Sequence, residues 1–263
     1  MQKESIKFEA STILEGMTSL RALFDGRDDG VNNRPILRVF FDVEREKKDV
    51  REWNFLRKKA TEHNYELQLV PTEEINRLAL GTTHGGVLAE CGERKLPRLS
   101  ESMHLIEEKG FYAMIQGIED PYNFGYALRS LYACGASGII LAERNWLSAA
   151  GVVARSSAGA SERFRVFVAD PQEALELFHQ KGYSVVCADE DTNNILHKTP
   201  LTMPLLLIVG GERRGISKSI LAEADIVVKI PYGREFRASL SAASATTILG
   251  YEIFRQNMGS AEK

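Results

Sequence analysis

Leu206-Leu-Ile-Val-Gly-Gly-Glu-Arg-Arg-Gly-Ile-Ser217 runs from an apolar stretch into a glycine pair, a charged loop and a serine that opens a short helix, Ser217–Ala222. A run this short, bounded by glycine, reads as a buried strand feeding a loop and then a helix. The loop tempts a nucleotide reading, which its residues exclude. A phosphate-binding loop needs Lys directly after its last glycine, and Ile216 stands there. A dinucleotide fingerprint needs a second glycine where the chain has Glu212, and a carboxylate there repels pyrophosphate. A strand-end loop for an adenosine group without phosphates stays open.

Outward from this stretch the pattern alternates. Phe111–Gln116, Gly138–Leu141, Arg163–Val168, Tyr183–Ala188, Leu205–Val209 and Ile226–Ile230 read as strands. Asn123–Cys134, Asn145–Val153, Pro171–Lys181 and Ser239–Arg255 read as helices. Strands alternating with helices predict an α/β fold, a mostly parallel sheet with helices on both faces. A first αβ block precedes it. A polar helix-like lead meets a turn-rich charged loop, Asp25–Arg34, before a strand at Leu37–Asp42. Lys47–His63 is helical, with Val50, Trp53, Leu56 and Ala60 at helical spacing. Glu66–Val70 is a strand, Thr72–Ala79 a short helix, and Gly81–Gly86 a loop before the apolar Val87–Ala89. The expected division is a small αβ domain at 1–95, a polar linker at 96–108 and a larger domain at 109–263.

Composition narrows the class. The 263 residues hold 44% hydrophobic and 26% charged residues, which excludes a disordered chain. Three cysteines, far apart and odd in number, argue against a disulfide framework and fit the reducing cytoplasm. The start of the chain lacks the apolar core of a signal peptide, and no apolar run approaches the length of a membrane span. Thirty-three basic against 36 acidic residues give −3, without the global basic signature of a non-specific nucleic-acid binder. The five histidines are scattered, none paired at metal-ligand spacing, so no metal is expected.

Two more glycine-containing segments follow strands of the second block. In Asp120-Pro-Tyr-Asn-Phe-Gly-Tyr-Ala-Leu-Arg129, Asn123 can cap a helix and Gly125 permits close backbone approach, with Arg129 under two turns further on. In Ile230-Pro-Tyr-Gly-Arg-Glu-Phe-Arg-Ala-Ser-Leu-Ser-Ala-Ala-Ser-Ala245, Arg234 and Arg237 sit in a loop, and Ser239 is a natural cap for a helix of small residues. Each segment alone is explained by ordinary helix capping and packing.

In this order, the three resemble the motifs of the SpoU/TrmH family of RNA ribose methyltransferases, within the SPOUT superfamily. The family's Asn-x-Gly-x-x-x-Arg is matched by Asn123, Gly125 and Arg129, and its Gly-x-Glu-x-x-Gly by Gly210, Glu212 and Gly215. Its third motif is matched by Ile230, Pro231, Ser239, Leu240 and Ala245. Ser156-Ser-Ala-Gly-Ala160 is similar to the family's small-residue loop, and His84-Gly-Gly-Val-Leu-Ala89 to the element closing its RNA-binding domain. The departures are Ser241 for an active-centre asparagine, Ala242 and Ala243 for valine and serine, Tyr232 for methionine and Gly85 for glutamine.

The resemblance implies a trefoil-knotted C-terminal domain, a homodimer, and S-adenosylmethionine (S-adenosyl-L-methionine) held by loops around Gly210, Gly215, Ile230 and Leu240. It implies methyl transfer to a ribose 2′-hydroxyl of RNA, with Asn123, Arg129, Glu212 and Ser239 in the catalytic set. Glu212 could serve as a loop organiser or touch substrate. Arg34 and His84 are candidate RNA contacts on the N-terminal domain. Because a recognition domain comes first, ribosomal RNA is favoured over transfer RNA. Two alternatives stand beside this reading: a catalytically weakened RNA-binding relative, motivated by Ser241 and the unbasic charge, and a nucleotide-dependent enzyme on a doubly wound sheet.

Overall fold

The computed structural model describes residues 12–142, 149–211, 215–236 and 238–258. They fall into two compact units, 1–95 with 145–163 and 96–144 with 164–263. In chain order the elements are β1 (Thr12–Glu15), α1 (Gly16–Asp28), β2 (Ile36–Asp42), α2 (Val43–Glu46), α3 (Val50–His63), β3 (Glu66–Val70), α4 (Thr72–Leu78) and β4 (Val87–Cys91). Then come β5 (Phe111–Ile115), α5 (Pro121–Ala133), β6 (Gly138–Leu141), α6 (Ala150–Ser156), α7 (Ala160–Arg163), β7 (Arg165–Val168) and α8 (Pro171–Gln180). The chain continues through β8 (Ser184–Ala188), β9 (Leu205–Val209), α9 (Lys218–Glu223), β10 (Ile226–Val228) and α10 (Ala242–Asn257).

The first unit is built on a four-stranded mixed sheet, order β1-β4-β2-β3, in which only β2 and β3 run parallel. The polar lead supplies β1 as well as a helix, and α1 runs on to Asp28, into the stretch read as a loop. It continues because its buried face does: Leu20, Leu23, Phe24 and Gly26 are all covered. Gly26 is fixed by close approach, since a β-carbon there would overlap the backbone of Glu162. The same holds at Gly151, where a side chain would run into Ile13, and at Gly159 against Ala22. Residues 149–163 are thus packed within the first unit.

An ion cluster fastens that segment. Arg34, 4% exposed, donates from Nε to Glu162 Oε2 at 2.9 Å and from Nη2 to Oε1 at 3.2 Å. Asn32 Nδ2 donates to Oε2 at 2.7 Å and to the Glu162 carbonyl at 3.0 Å. Arg94 donates to the carbonyls of Ser161 and Val31, both at 2.8 Å. This corrects the expectation that Arg34 contacts RNA: its fork is committed to a buried carboxylate, and freeing it would strand that charge.

The second unit carries a six-stranded, wholly parallel sheet, order β10-β8-β9-β5-β6-β7. All five residues of β5 and of β9 are buried, as strands covered on both faces must be. Tyr112, Phe178 and Tyr183 meet edge-on or tilted beneath it, with centroids 5.0–5.9 Å apart. Such pairs contribute about 0.5–1.5 kcal/mol each beyond area burial. Leu99 and Ile106, from the polar stretch between the blocks, are buried in the same core. On the sheet's other side α10 packs on α5, where Gly250 lets Leu131 and Cys134 come close and Thr247 Oγ1 donates to Ser130 Oγ at 2.7 Å. Among the described residues no helix is long and apolar enough to cross a membrane.

Candidate active site

In the parallel sheet β5, β6 and β7 progress one way, and the chain then returns to the other side through β8, β9 and β10. Adjacent β5 and β9 therefore flank the point where strand order reverses, and open parallel sheets bind ligands beyond the carboxyl ends of such a pair. Glycine crowds that point. A β-carbon on Gly211 would overlap the Gly117 carbonyl, and one on Gly210 would overlap the backbone of Gly215. Gly117 and Gly215 have φ of +65° and +59°, open to glycine and unfavourable for most residues. The Gly215 amide closes the loop on the Gly211 carbonyl at 3.1 Å. Glu212, the remaining candidate of this motif, lies outside the described residues. Directly after β5, Gln116 Nε2 is buried and finds no hydrogen-bond partner among them.

From the same strand end the chain enters α5. Its cap is Asp120, whose side chain accepts from the Tyr122 amide at 2.9 Å, and Pro121 is the first helical residue. The sequence expectation of Asn123 as the cap is corrected by this: proline has no amide to leave unsatisfied, so it sets the helix start three residues earlier. Asn123 therefore lies within the first turn, half-buried, and Arg129 is exposed further along the helix.

A second correction concerns Ser239. It is exposed and non-helical; the cap of α10 is Ser241, whose Oγ accepts from the Ser244 amide at 3.2 Å. Asparagine and serine rank together as N-caps, so Ser241 retains the capping capacity of the residue it replaces. Ser241→Asn is expected to leave the melting temperature nearly unchanged, whereas Ser241→Ala should cost about 1 kcal/mol in a urea titration.

Tyr232, another departure, has a structural partner: its hydroxyl accepts from the Leu240 amide at 3.1 Å, pinning the loop that joins the end of β10 to α10. Ile230, Pro231, Tyr232, Arg234, Phe236 and Leu240 line a cleft of ≈ 590 Å³. A second cleft of ≈ 520 Å³ shares Ile230 and Pro231 and reaches Leu196, His197 and Tyr251. These volumes fall in the range of small-molecule sites, about 300–1,000 Å³. The structure thus brings Ile230 together with Leu240 and Gly210 together with Gly215, while Asn123 and Arg129 share one helix. Sequence reasoning missed Gln116 and the Tyr232–Leu240 tie. No motif marks Gln116, and the tie depends on a loop whose closure the sequence does not show.

On the first unit, His84 is half-buried, and its Nδ1 accepts from the Gly86 amide at 3.1 Å, a turn-forming bond. Among the described residues no group of three or more His, Cys, Asp or Glu is placed to hold a metal ion.

Comparison with known proteins extends this picture. Residues 110–251 match the family model described as the SpoU rRNA Methylase family, and residues 13–97 match one described as RNA 2′-O ribose methyltransferase substrate binding. YacO of Bacillus subtilis (strain 168), named as a TrmH family tRNA/rRNA methyltransferase, is 29% identical over 201 residues, 75% of this chain and 80% of its own. An AdoMet-bound rRNA methyltransferase from Sinorhizobium meliloti shares the fold at TM-score 0.75 and 20% identity, covering 93% of this chain and 87% of its own. The SpoU methyltransferase AviRb from Streptomyces viridochromogenes, in complex with AdoMet, does so at 0.75 and 21%, covering 95% and 91%.

Proposed function

The chain belongs to the SpoU rRNA methylase family, and on that premise we propose that it transfers a methyl group from S-adenosylmethionine to a ribose 2′-hydroxyl, with ribosomal RNA as the favoured substrate. The carrying observation is the glycine junction of Gly117, Gly210, Gly211 and Gly215 at the reversal point of the sheet. It packs the loops after β5 and β9 backbone against backbone, leaves Gly215 open, where a β-carbon would meet nothing within 4 Å, and has Ile216 where a phosphate-binding loop has lysine. That suits a cofactor of adenosine and amino acid. Gln116 Nε2, a buried donor without a described partner, supplies a polar group at the same strand end, and the cleft of Ile230 and Leu240 supplies apolar walls.

The bound cofactor supplies a methyl group on a sulfonium sulfur. This chain's residues hold the ribose oxygen in line with it, and such positioning accounts for much of the barrier reduction. As the ribose oxygen bonds to the methyl group, the methyl–sulfur bond would break with its electron pair left on sulfur as a neutral thioether, and the hydroxyl proton would pass to water. Arginine stays protonated at ordinary pH, so Arg129 serves as a clamp on the neighbouring phosphate and a stabiliser of negative charge developing on the oxygen. Asn123 orients that site, and Ser239 hydrogen-bonds beside the acceptor. The match of residues 13–97 supports a substrate-binding role for the first unit, His84 included. The knotted topology, the homodimer and the cytoplasmic location belong to the same proposal. The weakened-relative reading draws on Ser241 and the unbasic charge; Ser241 keeps a capping role on α10.

The test is calorimetric titration with S-adenosylmethionine, followed by labelled-methyl transfer to total bacterial RNA. Binding with label on ribose is the expected result. Label on a base would remove the 2′-hydroxyl from the proposal. Binding without transfer would favour the weakened relative. No binding would overturn the assignment of the loops.

A further inference from the structure

Tyr232 and Phe236 lie in one short loop and line the cleft that holds Ile230 and Leu240. They are 41% and 60% exposed, although burying a large aromatic ring is ordinarily favourable. Their centroids are 6.1 Å apart with planes at 60°, so neither ring covers the other's face. Tyr232 is also preset. The Leu240 amide holds its hydroxyl at 3.1 Å, which fixes the ring before anything binds and lowers the ordering cost of binding. A cation, Arg234, and an anion, Glu235, line the same cleft.

We infer that Tyr232 and Phe236 form a stacking platform for an unpaired base of the RNA substrate, with Arg234 beside it for the flanking phosphate; this rests on the proposed function. The chemistry favours a nucleotide over a purely apolar occupant. Base edges in a duplex are stacked and covered, whereas single-stranded nucleotides can splay a π-face onto an aromatic side chain. Stacking of this kind tolerates any base, because every base has such a face. The platform therefore selects a nucleotide's pairing state and leaves sequence to other contacts. Tyr232 stands where the family motif has methionine, so the platform is a feature of this chain.

The experiment uses the full-length protein and a fluorescein-labelled single-stranded oligoribonucleotide, alone and annealed to its complement. Affinity is read by anisotropy for wild type, Phe236→Ala, Phe236→Leu and Phe236→Trp. Melting, S-adenosylmethionine titration and sedimentation are run on the same samples. Wild type is expected to prefer the single strand by about tenfold, and Phe236→Ala to lose about tenfold in that affinity. Phe236→Leu should lose nearly as much because it has no π-face, and Phe236→Trp should restore it. Equal affinity for single strand and duplex, no affinity for either, or a leucine variant as good as wild type would each overturn the platform. So would a Phe236→Ala variant that changes from dimer to monomer, which would give this face to a second copy of the chain. Failure of wild type to bind S-adenosylmethionine would count against the proposed function, and the oligonucleotide comparison is read independently of it.

Discussion

Glu162→Ala is expected to destabilise the protein by about 3–5 kcal/mol, because removing one partner of a buried ion pair leaves the other charge uncompensated. That corresponds to a drop of roughly 12–20 °C in melting temperature for a unit of this size. The carboxylate's side chain is 2% exposed and that of Arg34 5%, so solvent offers the guanidinium little relief. Replacing Arg34 and Glu162 together by methionine should cost less than Glu162→Ala alone, since the Arg34 charge is removed with its partner and only Arg94 stays buried without the carboxylate. A loss below about 1 kcal/mol in Glu162→Ala would show that the cluster does not hold the segment.

The same carboxylate predicts a pH dependence. Burial pushes its pKa up, but Arg34 and then Arg94 outweigh burial and hold it below the usual glutamate range. Arg94 itself is drawn down by burial to about 10 and stays charged at neutral pH. A carboxyl depressed in the folded state stabilises the protein above its unfolded pKa, and the contribution is lost as pH falls through the folded value. Acid unfolding of wild type should therefore steepen below the ordinary glutamate range. Glu162→Gln, less stable at neutral pH, should show a flatter profile there.

Arg129→Ala is expected to lower the rate of methyl transfer by about 100- to 1,000-fold, the effect of removing a donor aimed at developing negative charge. S-adenosylmethionine affinity should change by less than about twofold, because a lost transition-state contact lowers the rate without weakening the ground state. Arg129→Lys keeps the charge and loses the planar fork, so it should recover only part of the rate. Single-turnover methylation with saturating cofactor separates these outcomes. An unchanged rate in Arg129→Ala would remove the residue from the reaction.

Much of the second unit was legible because parallel strands buried on both faces announce themselves as apolar runs. Leu205–Val209 and Gly138–Leu141 sit where those runs predict. Helix starts were less legible because several capping residues compete within a few positions. Pro121 decided for Asp120 over Asn123, and Ser241 took the role expected of Ser239. Pairings distant in sequence leave no local trace. The four residues of β1 read as helix lead because their partner, β4, lies beyond α4. Arg34 read as a surface cation because its carboxylate is 128 residues away. The glycines of the second motif marked the loop after β9, whereas Gly117, Gln116 and the Tyr232–Leu240 tie required the structure.

Because residues 145–163 cluster with 1–95 while their flanks cluster with the second unit, the backbone passes between units after residues 95, 144 and 163. A gene cut once at position 95 therefore leaves the first unit incomplete. The upstream fragment lacks Glu162 and exposes the surfaces that Gly151, Ala154 and Gly159 cover. The downstream fragment keeps that segment as an excursion with nothing to dock on. Recombination that exchanges modules at one junction would part the first unit from residues 145–163, so the two units are best inherited, and engineered, as a single interleaved piece.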